Sequence, residues 1–87
     1  VFDSGVGGLT VLRALREQFP NENFIYLGDT ANVPYGGKSR STLLKLVGSH
    51  LDFFTQQKVK ALIFACNTAS TLLDELPKTE FPILGVI

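Results

Sequence analysis

The chain has 87 residues, 45% of them hydrophobic, and its eight Lys and Arg balance its eight Asp and Glu. Balanced charge excludes an electrostatic nucleic-acid binder, which concentrates basic side chains on one face, and high apolar content at zero net charge excludes a disordered chain. No apolar run approaches the roughly 18 residues of a membrane span, and Val1-Phe2-Asp3-Ser4-Gly5 has neither the basic nor the long apolar region of a signal peptide.

A single cysteine excludes an internal disulfide and fits a reducing cytoplasm, where the protein is expected. The length allows one compact domain of modest stability.

In chain order, Val1-Phe2 reads as the end of a strand and Asp3-Ser4-Gly5-Val6-Gly7-Gly8 as a glycine-rich turn. From Leu9 to Phe19, apolar side chains at Val11, Leu12, Leu15 and Phe19 have helical spacing, and Pro20-Asn21 stops the helix. Phe24-Ile25-Tyr26-Leu27 predicts a short buried strand, followed by a polar loop from Gly28 to Gly37. A second helix from Ser39 to Gln57 carries Leu43, Leu44, Val47, Leu51 and Phe54 on one face. Ala61 to Ala65 predicts a third buried strand with Cys66-Asn67-Thr68 at its carboxyl end. Asn67 or Thr68 is expected to cap a helix reaching about Leu76, which Pro77 ends, and Ile83 to Ile87 forms a fourth strand. Apolar strand ends at both termini are unusual at a protein surface, so the chain is expected to be a piece of a longer protein.

Continuous apolar strands alternating with helices imply an α/β fold, a mostly parallel sheet with helices on both faces. With the common order 2-1-3-4, the first and third strands are neighbours at the point where the winding reverses. Ligands of such sheets bind there, beyond the carboxyl ends of the strands. Asp3-Ser4-Gly5 and Cys66-Asn67-Thr68 are therefore expected to meet in a pocket, with the 28–37 loop able to cover it.

Cys66 is the most reactive side chain in that pocket. At a strand-to-helix turn, the dipole and free N–H groups of the helix stabilise a thiolate that serves as nucleophile or general base. The plain alternative is a small buried apolar residue, against which the polar neighbours Asn67 and Thr68 weigh. Asp3 and Ser4 offer a carboxylate and a hydroxyl on the facing loop, unless Asp3 only caps a turn. Gly5, Gly7 and Gly8 either present N–H groups to an anion or supply positive φ angles. His50 reads as a helix-face histidine, and no second His or Cys stands at metal-ligand spacing, so no metal is expected.

Three short motifs fail on inspection. Gly5-Val6-Gly7-Gly8-Leu9-Thr10, with Asp29 after the second strand, is similar to a dinucleotide fingerprint. Its sixth position is Thr10, however, and Asp3 sets a negative charge beside the pyrophosphate. Gly37-Lys38-Ser39 is similar to the end of a phosphate-binding loop whose first glycine would fall on Asn32. Phe2-Asp3-Ser4-Gly5-Val6 is similar to an aspartyl-phosphate loop, but Gly5 stands where the second carboxylate belongs.

Three longer segments agree with one another. Asp3-Ser4-Gly5-Val6-Gly7-Gly8-Leu9-Thr10-Val11 closely resembles the opening signature of bacterial glutamate racemases. Gly28-Asp29-Thr30-Ala31-Asn32-Val33-Pro34-Tyr35-Gly36 resembles their second loop, and Ala65-Cys66-Asn67-Thr68-Ala69-Ser70 the segment holding their first catalytic cysteine. Order and spacing match, and the resemblance covers essentially all 87 residues. Aspartate racemases share Cys-Asn-Thr but usually differ in the opening glycine loop.

The resemblance implies a flavodoxin-like half of a two-domain racemase that interconverts L- and D-glutamate without a cofactor and supplies D-glutamate for peptidoglycan. It makes Cys66 one of two thiol acid/bases. It also makes Asp3, Ser4, Tyr35, Gly36, Asn67 and Thr68 substrate contacts, glutamate the partner, and a homodimer an option for the full-length protein. Inversion requires an acid on the face opposite the base, which the family supplies from a second domain through a cysteine in a Cys-Thr-His segment. This sequence has no second cysteine. Residues 1–87 are therefore expected to be an incomplete N-terminal domain, inactive alone. An amino-acid-binding fragment without catalysis and a dinucleotide-binding α/β domain stand as alternatives.

Overall fold

A computed structural model describes residues 1–86. Four parallel strands, β1 (Phe2–Asp3), β2 (Leu27–Gly28), β3 (Leu62–Phe64) and β4 (Ile83–Gly85), form one sheet in the order β2-β1-β3-β4. Helices α1 (Leu9–Gln18), α2 (Arg40–Gln56) and α3 (Asn67–Ser70) connect them, with 3₁₀ turns at Thr30–Asn32, Tyr35–Gly37 and Leu73–Glu75. This is the expected α/β architecture and strand order.

Successive strand side chains point to opposite faces, and the two faces differ. Phe2 is in register with Phe64, and their rings meet edge to face at 5.5 Å. With Leu62 they bury against Leu43, Val47, Leu51 and Phe54, the apolar face expected of α2. Asp3, pointing the other way, accepts a hydrogen bond from the Gly8 N–H at the start of α1, so α1 lies across the opposite face. That face is the thinner one. Val11, Leu12 and Leu15 of α1 are only half-buried, and Leu9 and Phe19 are exposed.

Three elements differ from expectation by more than one residue at an end. The second strand is Leu27–Gly28 rather than 24–27, the two residues in register with Phe2 and Asp3 of β1. The hydrogen bonding still begins earlier: the Val1 ammonium donates to Ile25 O at 2.8 Å and Leu27 N–H to Val1 O at 2.9 Å. The third helix is a single turn over 67–70, followed by the 73–75 turn, and does not reach Leu76. Hydroxyls turn back onto its backbone, Ser70 Oγ donating to Cys66 O and Thr71 Oγ1 to Thr68 O. Such bonds compete with helix propagation. The fourth strand spans Ile83–Gly85, and the expected strand residue Ile87 lies outside the described residues.

Candidate active site

The carboxyl ends of β1 and β3 bring the two expected loops together. Cys66 lies two residues past the end of β3 and Ser4 follows β1 directly, and the Cys66 thiol donates to Ser4 Oγ at 3.6 Å. Cys66 is a buried free thiol, 6% exposed. Its Sγ also accepts from the Ala69 N–H at 3.4 Å, so Cys66 itself caps α3, the role expected of Asn67 or Thr68. Because α3 is one turn long, this single N–H replaces the helix dipole that the sequence suggested. Asn67 is exposed and Thr68 half-buried on the same turn.

Asp3 is 8% exposed, and its Oδ2 accepts the Gly8 N–H at 2.9 Å. The carboxylate thus occupies an N–H of the glycine turn on which a dinucleotide pyrophosphate would depend. Positive φ angles play no part, because no glycine among the described residues has one. Space decides instead. A Cβ on Gly8 would come within 2.8 Å of Asp3 Cβ and 3.0 Å of both Ala65 Cβ and Tyr26 Oη. Tyr26 Oη donates to Gly5 O at 2.9 Å, and burial, together with the Asp3 charge, pushes the Tyr26 phenol above its usual range.

The 28–37 loop folds over the carboxyl end of β2. Tyr35 is 2% exposed and donates to Asp29 Oδ2 at 2.5 Å; Gly36, next to it, is exposed, with open space where a Cβ would stand. Burial drives the Tyr35 phenol far above its ordinary value, and the hydrogen bond to Asp29 and the charges of Asp29, Cys66 and Asp3 act in the same direction. Tyr35 is thus a neutral donor within electrostatic reach of the thiol and Asp3.

In the sequence Asp29 stood in the rejected dinucleotide motif and in the racemase-like 28–36 segment, with no role assigned to its side chain. In the fold it is a buried carboxylate with three donors: Tyr35 Oη, Asn32 Nδ2 at 2.8 Å and His50 Nε2 at 2.9 Å. Burial pushes its carboxyl up, but the hydrogen bonds from Tyr35, Asn32 and His50, with the His50 charge, outweigh that and hold it below the usual range. A polar residue one position before Leu51, on the core edge of an otherwise apolar helix face, was the available signal for His50.

Two grooves, of about 670 and 500 Å³, lie along α1 and at the amino ends of the strands. Neither is lined by Cys66, Asp3 or Tyr35. The chemistry-bearing side chains, rather than the concavities, locate the site. No group of three or more His, Cys, Asp or Glu among the described residues could hold a metal ion, and no described helix is long and apolar enough to cross a membrane.

No protein-family model matches the chain. The glutamate racemase of Trichormus variabilis is 55% identical over 89 aligned positions, which take in 100% of this chain and 30% of the relative. Among solved structures, Escherichia coli glutamate racemase in complex with L-glutamate and the activator UDP-MurNAc-ala superposes with a TM-score of 0.89 at 38% identity, over 100% of this chain and 34% of that one. Francisella tularensis glutamate racemase in complex with D-glutamate gives 0.84 at 44% identity, over 98% and 34%. The chain spans about a third of the length of the relatives it matches. In sequence and in fold the chain is similar to glutamate racemases over the third of their length that it covers.

Proposed function

We propose that residues 1–87 carry one half of a glutamate racemase site, an incomplete N-terminal domain in which Cys66 exchanges the α-proton of glutamate. The observation that carries this reading is the buried Cys66 thiol 3.6 Å from Ser4 Oγ, across the junction of β3 and β1, with Asp3 adjacent in the chain. The complexes of related racemases with L- and D-glutamate support the substrate.

In the proposed reaction the Cys66 thiolate takes the α-proton, forming an S–H bond. The electron pair of the broken C–H bond delocalises into the substrate carboxylate. Such a proton is very weakly acidic, so the base must be held in contact with it in a site that stabilises the developing charge. Asp3 receives the ammonium. Ser4, Tyr35, Gly36, Asn67 and Thr68 hold the carboxylates through hydroxyl, amide and backbone donors. Reprotonation from the opposite face inverts the centre and requires a second thiol, which comes from residues outside this chain, since its only cysteine is Cys66. The chemistry uses no cofactor, and its product is D-glutamate for peptidoglycan, made in the cytoplasm.

Incubation of the full-length gene product with L-glutamate in heavy water tests this. The expected result is D-glutamate with deuterium at the α-carbon, abolished by Cys66→Ser. The 87-residue chain alone is expected to form no D-glutamate. Saturable glutamate binding by the full-length protein with no α-proton exchange above the Cys66→Ser control would instead establish an amino-acid-binding protein.

A further inference from the structure

We infer that His50 is a positioning residue of this site, acting through Asp29 on Tyr35 and the turn that carries Gly36. The inference rests on the racemase reading above and adds to it a residue that touches no substrate.

His50 lies on α2, 21 positions from Asp29, and its imidazole is fixed from two sides. Its ring packs against the Phe2 ring of β1, centroids 5.1 Å apart, and its Nε2 stands 2.9 Å from Asp29 Oδ2. Only the tautomer with a proton on Nε2, or the imidazolium, donates to that carboxylate. Both side chains are largely withdrawn from water, at 18% and 8% exposure, so the contact is not a solvated surface pair.

The same Oδ2 accepts the Tyr35 hydroxyl, and Oδ1 accepts Asn32 Nδ2. The backbone of Asp29 is tied separately, its N–H donating to Asp3 O at 3.0 Å. Asp29 is thus the hinge pin between the end of β1, which presents Asp3 and Ser4, and the 35–37 turn. Among the described residues, His50 is the one donor to it that comes from outside the 28–37 loop. Without His50 the carboxylate keeps, among the described residues, only donors from its own loop, and the tie from that loop to α2 through Asp29 is lost. The turn then loses the reference that sets Tyr35 and Gly36 against Cys66.

The test uses the full-length gene product with His50→Phe, which keeps a ring against Phe2 and removes the donor, and His50→Gln, which keeps an N–H donor. Loss of a hydrogen bond to a buried charge, acting on substrate placement, is expected to raise the KM for glutamate about tenfold in His50→Phe with kcat little changed. His50→Gln is expected to restore it. Because His50 acts through Tyr35, His50→Phe is expected to add nothing further in a Tyr35→Phe background. An unchanged KM in His50→Phe, no rescue by His50→Gln, or the same increment with and without Tyr35 would each overturn the inference, whatever happens to the melting temperature. If His50→Phe does not fold, His50→Leu takes its place.

A full-length protein that forms no D-glutamate would sink the racemase reading alone. The inference is then decided by the amide resonances of Tyr35, Gly36 and Gly37. Shifts in His50→Phe that revert in His50→Gln support it, and unmoved resonances overturn it.

Discussion

Ser4 and Cys66 are 62 positions apart in the chain, yet their Oγ and Sγ atoms are 3.6 Å apart at the carboxyl ends of neighbouring strands. The sulfur has a second task, accepting the Ala69 N–H as the cap of α3. Fold and chemistry can therefore be separated at this position. Cys66→Ser keeps a capping oxygen and is expected to leave the melting temperature nearly unchanged while abolishing α-proton exchange. Cys66→Ala removes the cap and is expected to cost about 1 kcal/mol in addition. Thermal denaturation beside the exchange assay checks both.

The Asp29 carboxyl titrates below its unfolded value because three donors outweigh its burial. A depressed carboxyl contributes stability that is fully present above the unfolded pKa, near 4, and is lost as pH falls through the folded value. Denaturant midpoints measured from pH 7 down to pH 3 are expected to fall more steeply for the wild type than for Asp29→Asn. At pH 7 the Asn variant is expected to be about 1–3 kcal/mol less stable, since the buried Tyr35 and His50 donors then meet a weaker acceptor.

Both tyrosines of the chain, Tyr26 and Tyr35, have phenols raised by burial first and by neighbouring carboxylates second. A raised phenol leaves the fold unaffected below the unfolded value, near 10, and weakens it as pH rises beyond that, because only the unfolded chain ionises readily. Absorbance at 295 nm is expected to show less tyrosinate at pH 10 in the folded protein than in the urea-unfolded chain, with ionisation at higher pH favouring unfolding. Free ionisation near pH 10 in a folded protein would contradict the burial of both hydroxyls.

Gly28 ends β2 directly beneath the glycine turn, and a Cβ there would fall 2.5 Å from the Gly5 carbonyl oxygen and 3.1 Å from Tyr26 Cε1. Backbone cannot yield as a flexible side chain does. Gly28→Ala is expected to lower stability by about 1–3 kcal/mol. It is also expected to raise the KM for glutamate, because the displaced turn carries Asp3 and Ser4. A melting curve and a glutamate titration of the full-length variant provide the check.

Lys58 closes α2 in the left-handed region, at φ 55°, where a β-carbon is strained, and its N–H donates to Thr55 O at 3.1 Å. Glycine is the usual residue at such a helix end. Lys58→Gly is expected to raise stability by about 0.5–1 kcal/mol, measured by urea denaturation, with no effect on glutamate turnover.

The sequence by itself determined the alternation of elements, the parallel sheet and the meeting of the Asp3 and Cys66 loops. These follow from local signals: apolar runs of strand length, helical spacing at Leu43, Val47, Leu51 and Phe54, breakers at Pro20 and Pro77, and the general rules of strand order. The three family-like segments pointed to a glutamate racemase on the same local footing.

Only the tertiary structure decided the details that depend on distant partners. Which residues of the 24–28 run pair was set by the register of β2 against β1, and α3 was cut to one turn by hydroxyls that found backbone carbonyls. Cys66 became a cap because its sulfur lay nearest the Ala69 N–H. The sequence marked Asp29 and Tyr35 through the 28–36 segment but left no sign that they bond to each other and to His50, since a carboxylate gathers its donors by proximity in space and His50 arrives from a separate helix.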